Sequence, residues 1–165
     1  MISCGPAFFR SAVADGIDRA PHNMTGASTP TPFVVSASSQ YTSLEAYKAF
    51  DGAFGTGSYW ITNGIPTGWL KIDLGSAFLL RTYKVKVNTV PEPNRAPKDW
   101  TLEGSNDGST WNVLSTVTNQ TAWGNGEART FTCSVTTTSY RYFRLNVSAN
   151  NGDSYLQTAE LYLYT

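Results

Sequence analysis

Few side chains in this 165-residue chain could do covalent or acid–base chemistry. His22 is the only histidine, so any histidine-dependent triad must use it, and a histidine-rich zinc site is excluded. Cys4 and Cys133 are too few and too far apart for a zinc cluster. They either close one long disulfide loop or stay as separate thiols, Cys133 on a buried strand. Glycoside hydrolysis would need two carboxyls across a groove, one with a raised pKa. Asp51, Asp73, Asp99 and Asp107 read instead as turn or strand-edge residues, so no enzyme is expected. What the chain holds in quantity is rings, amides and hydroxyls: 13% of its residues are aromatic, five of them Trp and nine Tyr.

The length suits one domain, and 41% hydrophobic residues suffice for one packed core. Twelve basic residues balance twelve acidic ones. Binding nucleic acid through phosphate neutralisation is therefore not expected, nor is an electrostatic membrane anchor. No run of 18 apolar residues offers a membrane span, and the N-terminus lacks the pattern of a secretory signal. Without such a signal, the three Asn-x-Ser/Thr sequons at Asn23, Asn119 and Asn146 read as chance.

Residues 1–32 differ from the rest. A short helical turn is possible before Pro21, and residues 25–32 are Gly, Ala, Ser, Thr and Pro, which reads as an extended arm. Its dock is either its own domain or a neighbour, and a neighbour is the expectation here. From residue 33 strands and turns take over. Thr42-Ser-Leu-Glu45 has capping-box spacing and predicts one short helix over 44–50. Leu70, Ile72 and Leu74 alternate with Lys71 and Asp73, and Tyr83, Val85 and Val87 with Lys84 and Lys86. Asp107-Gly108 signals a hairpin after Trp100 and Leu102. Phe131, Cys133 and Val135 share a face, as do Phe143, Leu145 and Val147. About eight strands with almost no helix predict an all-β, antiparallel jelly-roll β-sandwich over 33–165, preceded by the arm.

Ala49-Phe-Asp-Gly52, Ser58-Tyr-Trp60, Trp69-Leu-Lys-Ile-Asp-Leu-Gly75, Pro97-Lys-Asp-Trp-Thr-Leu-Glu-Gly-Ser-Asn-Asp-Gly-Ser-Thr-Trp111, Tyr140-Arg-Tyr-Phe-Arg-Leu145 and Ala159-Glu-Leu161 follow one another. In this order they resemble a discoidin, or coagulation factor V/VIII type C, domain of the galactose-binding-like class. The Asn23-Met-Thr and Val34-Val-Ser-Ala-Ser-Ser runs are similar to small modules of bacteriophage virion proteins. The resemblance implies a structural calcium where the Asp-Gly turn meets the last strand. Its candidate ligands are Asp51, Glu160, a hydroxyl from Thr56 or Ser58, and carbonyls near Lys48, Ala53 and Ala159. Alternatively, Asp51 caps a turn and Glu160 makes a salt bridge. The histidine used by some galactose-binding members has no counterpart, since His22 falls in the arm.

The resemblance also implies sugar-binding loops at one end of the sandwich: 60–67, 88–97, 120–125 and 149–155. A pyranose offers an apolar C–H face to a ring and its hydroxyls to amides or guanidinium groups. Trp123 and Tyr155 are the candidate platforms, with Asn88, Arg95 and Asn150 as hydrogen-bonders. Trp123 lies in Thr-Ala-Trp-Gly-Asn-Gly, which reads as an exposed turn, although a lid over the core is the other possibility. Arg95 could equally be a solvated charge. Trp69, Trp100 and Trp111 lie on or at the start of strands and are expected in the core, as is Trp60. The function expected is a non-catalytic carbohydrate-binding module on a virion surface or outside the cell, in many copies for weak multivalent glycan adhesion. The alternative is a structural or decoration virion protein that binds no sugar. Residues 1–32 would then dock on capsid or tail proteins, and an oligomer is possible.

Overall fold

The computed structural model describes residues 16–88, 92–134 and 137–165. In chain order the strands are β1 (Val34–Ala37), β2 (Trp60–Ile61), β3 (Gly68–Phe78), β4 (Thr82–Lys86), β5 (Pro97–Ser105), β6 (Asn112–Val117), β7 (Ala128–Thr132), β8 (Tyr140–Asn150), β9 (Gln157–Thr158) and β10 (Glu160–Tyr164). Two short 3-10 helices cover Ala46–Phe50 and Pro93–Arg95. The strands form a five-stranded sheet in the order β1-β3-β8-β5-β6, a three-stranded sheet β10-β4-β7, and the small pair β2-β9. Every pairing is antiparallel.

Alternation decides which face goes inward. Leu70 and Ile72 of β3 stand opposite Leu145 and Phe143 of β8, and Leu145 also meets Leu102 of β5. From the smaller sheet come Tyr83 and Val85 of β4, opposite Leu163 and Leu161 of β10. All belong to one buried cluster. A hydrogen-bonded chain links the two sheets within it: Trp100 Nε1–H donates to the Tyr83 hydroxyl at 3.0 Å, which donates to Ser115 Oγ at 3.2 Å. Phe131 closes over Trp100 edge-on, with ring centroids 5.0 Å apart. Burial pushes the Tyr83 hydroxyl pKa up to about 12, so it remains a donor throughout the working pH range.

The predicted helix is the 3-10 turn Ala46–Phe50. Glu45 does reach back to a backbone N–H, but that of Ser43 rather than Thr42, at 3.1 Å. Asp107 sets the β5–β6 hairpin: its Oδ1 accepts the N–H groups of Ser109 and Thr110 at 2.8 and 2.7 Å. These contacts hold its carboxyl well below the usual range.

The described part of the arm docks on its own sandwich, which corrects the expectation of a neighbour. Arg19 N–H donates to Leu163 O at 2.8 Å, Asp18 forms a β-bridge with Tyr164, and Met24 is buried. At its start the segment lies against the C-terminal residue. A Cβ on Gly16 would fall 1.8 Å from Thr165 O, and Thr165 N–H donates to Ile17 O at 3.1 Å. Residues 1–15 lie outside the described part, Cys4 among them. Cys133 is a free, buried thiol, and burial raises its pKa to about 12. Val135 also lies outside the described residues.

Candidate functional site

Three loops gather at the end of the sandwich where β5 begins and β8 ends, since Pro97 pairs with Asn150. Asn151 ties them together: its Nδ2 donates to Ala96 O at 3.0 Å and to Gln120 O at 3.1 Å. Asn150 shapes the loop that follows β8. Its Nδ2 donates to the carbonyls of Asp153 and Tyr155 at 2.8 and 2.7 Å, and its Oδ1 accepts Gly152 N–H at 3.0 Å. Asp153 Oδ1 then accepts Tyr155 N–H at 2.9 Å, which fixes where the tyrosine leaves the loop.

On this frame Arg95 and Tyr155 come together. The Arg95 guanidinium carbon stands 5.1 Å from the Tyr155 ring centroid, a cation–π contact. Asp153 Oδ1 lies 3.4 Å from Arg95 Nε, and Glu92 forms a second ion pair with the guanidinium. Both Arg95 and Tyr155 are half-buried, anchored yet open to solvent. The result is a flat ring beside guanidinium N–H donors and carboxylate acceptors, the combination a pyranose can use. Asp153 and Glu92 were not among the sequence candidates. The Asn-Gly-Asp-Ser turn was the available signal, because such turns place an Asp side chain back over its own loop.

The other three sequence candidates are placed differently. Trp123 is only 5% exposed and belongs to the core. Its Nε1–H donates to Pro97 O at 2.9 Å, and the Arg129 guanidinium lies 4.1 Å from its ring centroid. Arg129 also donates to the carbonyls of Thr121 and Ala122, both at 3.1 Å, and so holds the loop with the indole turned inward. The lid alternative is the correct one, and Trp123 is no stacking platform. Asn150 spends its amide on its own loop. Asn88 is buried, and its carbonyl accepts Gly126 N–H at 3.1 Å. Of the core tryptophans expected, Trp60 and Trp100 are buried. Trp69 and Trp111 are instead half-buried on the outer face of the five-stranded sheet, beneath the cations of Lys71 and Arg144 at 5.5 and 4.3 Å. Strand alternation explains Trp69: its neighbour Leu70 points inward, so it cannot.

The corner proposed for calcium is built from other contacts. Glu160 is 1% exposed. Its Oε1 accepts Gly52 N–H at 2.8 Å and its Oε2 faces His22 Nδ1 at 2.9 Å. His22 Nε2 faces Asp18 Oδ2, also at 2.9 Å. Asp51 Oδ1 caps the turn by accepting Ala53 N–H at 2.8 Å, and its Oδ2 lies 3.9 Å from Lys48 Nζ. Thr56 is exposed, and among the described residues no hydrogen bond joins Thr56 or Ser58 to either carboxylate. Nor is there, among those residues, a group of three or more His, Cys, Asp and Glu side chains placed to hold a metal. Calcium takes six to eight oxygens. With a nitrogen ring against Glu160 and the hydroxyls elsewhere, this donor set does not fit it.

Burial alone would lower the His22 pKa, but the hydrogen bonds and charges of Asp18 and Glu160 outweigh it and raise the value to about 9. Burial pushes the Glu160 carboxyl up, and His22 pulls it back. With N–H donors on both Glu160 oxygens, the ionised pair is the state we stand behind.

The model of the F5/8 type C domain family matches residues 34–161. No curated protein matches the chain. Among solved structures, chitosan-binding module 1 of a chitosanase/glucanase from Paenibacillus sp. IK-5 superposes with a TM-score of 0.67 at 21% identity, covering 90% of this chain and 99% of that one. The family 32 carbohydrate-binding module of NanJ from C. perfringens, solved in complex with galactose, gives 0.66 at 19%, covering 81% and 93%. The lectin-binding domain of lectinolysin, complexed with Lewis b, gives 0.67 at 18%, covering 91% and 96%. At these identities the likeness concerns the fold, an antiparallel galactose-binding-like β-sandwich. The match over 34–161, on a sandwich of this topology, makes the chain a member of the F5/8 type C, or discoidin, domain family.

Proposed function

We propose that the chain is a non-catalytic carbohydrate-binding module whose ligand edge is the loop end where Arg95, Asp153 and Tyr155 meet. The observation that carries this reading is the Arg95–Tyr155 contact, half-open and flanked by two carboxylates. The reading is supported by the glycans named with the solved relatives: chitosan, galactose and Lewis b. One shallow site of this kind binds weakly, so adhesion calls for many copies on one body. Display on a virion surface, outside the cell, is the setting we infer. Docking on a capsid or tail protein would fall to residues 1–32, whose described part keeps exposed positions such as Ile17, Ser28 and Thr31.

The test is a glycan array probed with the protein clustered on beads. The wild type should retain a subset of glycans. Tyr155→Ala and Arg95→Ala should each lose at least tenfold in affinity while melting within a few degrees of wild type. Retention by both variants would remove this site, and no retention by clustered wild type would leave the decoration role alone.

A further inference from the structure

We propose that the His22 imidazolium is the resident cation of the corner formed by Asp51, Gly52 and Glu160. On this view a side chain of segment 16–25 does the tying that calcium was expected to do. Glu160 lies at the start of β10 with almost no access to water, and an isolated carboxylate there would be costly. Each nitrogen of the His22 ring meets a carboxylate oxygen at 2.9 Å, Glu160 on one side and Asp18 on the other. Ionised carboxylate oxygens only accept, so a ring facing one at both nitrogens donates at both and carries a charge. Asp18 is itself pinned to the last strand, its Oδ1 accepting Leu163 N–H at 3.0 Å.

The ring is also held in place by packing. Its centroid is 4.4 Å from that of Tyr162. The main chain of the segment closes on the same turn: Met24 N–H donates to Phe50 O at 3.1 Å. Gly52, at φ +69°, leaves space that a Cβ would fill, 2.3 Å from His22 O. Lys48 stands by Asp51. Three carboxylates (Asp18, Asp51 and Glu160) thus share two cations supplied by the chain, His22 and Lys48.

The test uses thermal melts of the full chain in EDTA and in millimolar CaCl2, with calorimetric titration of CaCl2 alongside. Wild type should melt at the same temperature in both and show no binding heat. His22→Ala should melt roughly 6–12 °C lower in EDTA. It should then gain a calcium response, because three carboxylates are left with one cation. A wild-type Tm that rises with calcium overturns the proposal. So does a His22→Ala protein as stable as wild type, or one that is destabilised and indifferent to calcium, since His22 would then be mere packing. Should His22→Ala not fold, His22→Gln takes its place with the same readouts, and the wild-type measurement decides independently.

Discussion

An indole on a Thr-Ala-Trp-Gly-Asn-Gly loop can point to solvent or fold back, and its long-range partners choose. Trp123 finds a carbonyl on β5 and a guanidinium on β7, so it turns inward. Pro97 lies 26 residues away and Arg129 reaches back from the next strand, so the turn alone gives neither contact. Trp123→Ala should therefore cost about 3–4 kcal/mol in urea unfolding, as for a large core truncation, and leave glycan retention to the folded fraction. The core Tyr83 hydroxyl gives a second prediction. Tyr83→Phe removes the acceptor of Trp100 and the donor to Ser115, and should destabilise by about 1–2 kcal/mol in the same assay. The loops bearing Arg95 and Tyr155 followed from the family resemblance, whereas the contact between the two side chains did not. Asn150 reads as a loop residue but ends β8, and its acceptors on the following turn could not be seen before the turn was.

Strands were the most readable elements. Alternation at 70–74 and 83–87 put every inward residue where the structure has it, because burial on one face of a sheet leaves a period-two trace. Segment 16–25 left no such trace. Its attachments are a histidine between carboxylates, the buried Ala20 and Met24, and backbone hydrogen bonds, with no period-two alternation among them. That segment carries a pH prediction. The His22 pKa is raised from 6.5 to about 9, so its contribution to stability is full below about 6.5 and is lost as pH rises through 9. Melting temperature should fall between about pH 6.5 and 9 in wild type. In His22→Gln that fall should be largely absent.

At the scale of the molecule, the described part of the arm packs on the sandwich through its backbone and through Ala20, His22 and Met24. Residues 1–32 read as an arm, and the Gly, Ala, Ser, Thr and Pro of 25–32 say nothing about what that arm rests on. Removing residues 1–32 takes away Met24, Ala20 and the His22 pair at once, and should cost about 4 kcal/mol or more by urea unfolding rather than leave stability unchanged. Gly16 and Thr165 abut each other beside the end of β10 that pairs with Thr82, whereas the loop bearing Arg95 follows Lys86 at the other end of β4. A tether that enters the sandwich at Gly16 and one that leaves it at Thr165 would thus share one point of suspension. Held there, every copy would turn the edge proposed to read saccharides away from the support, with no engineering of orientation required.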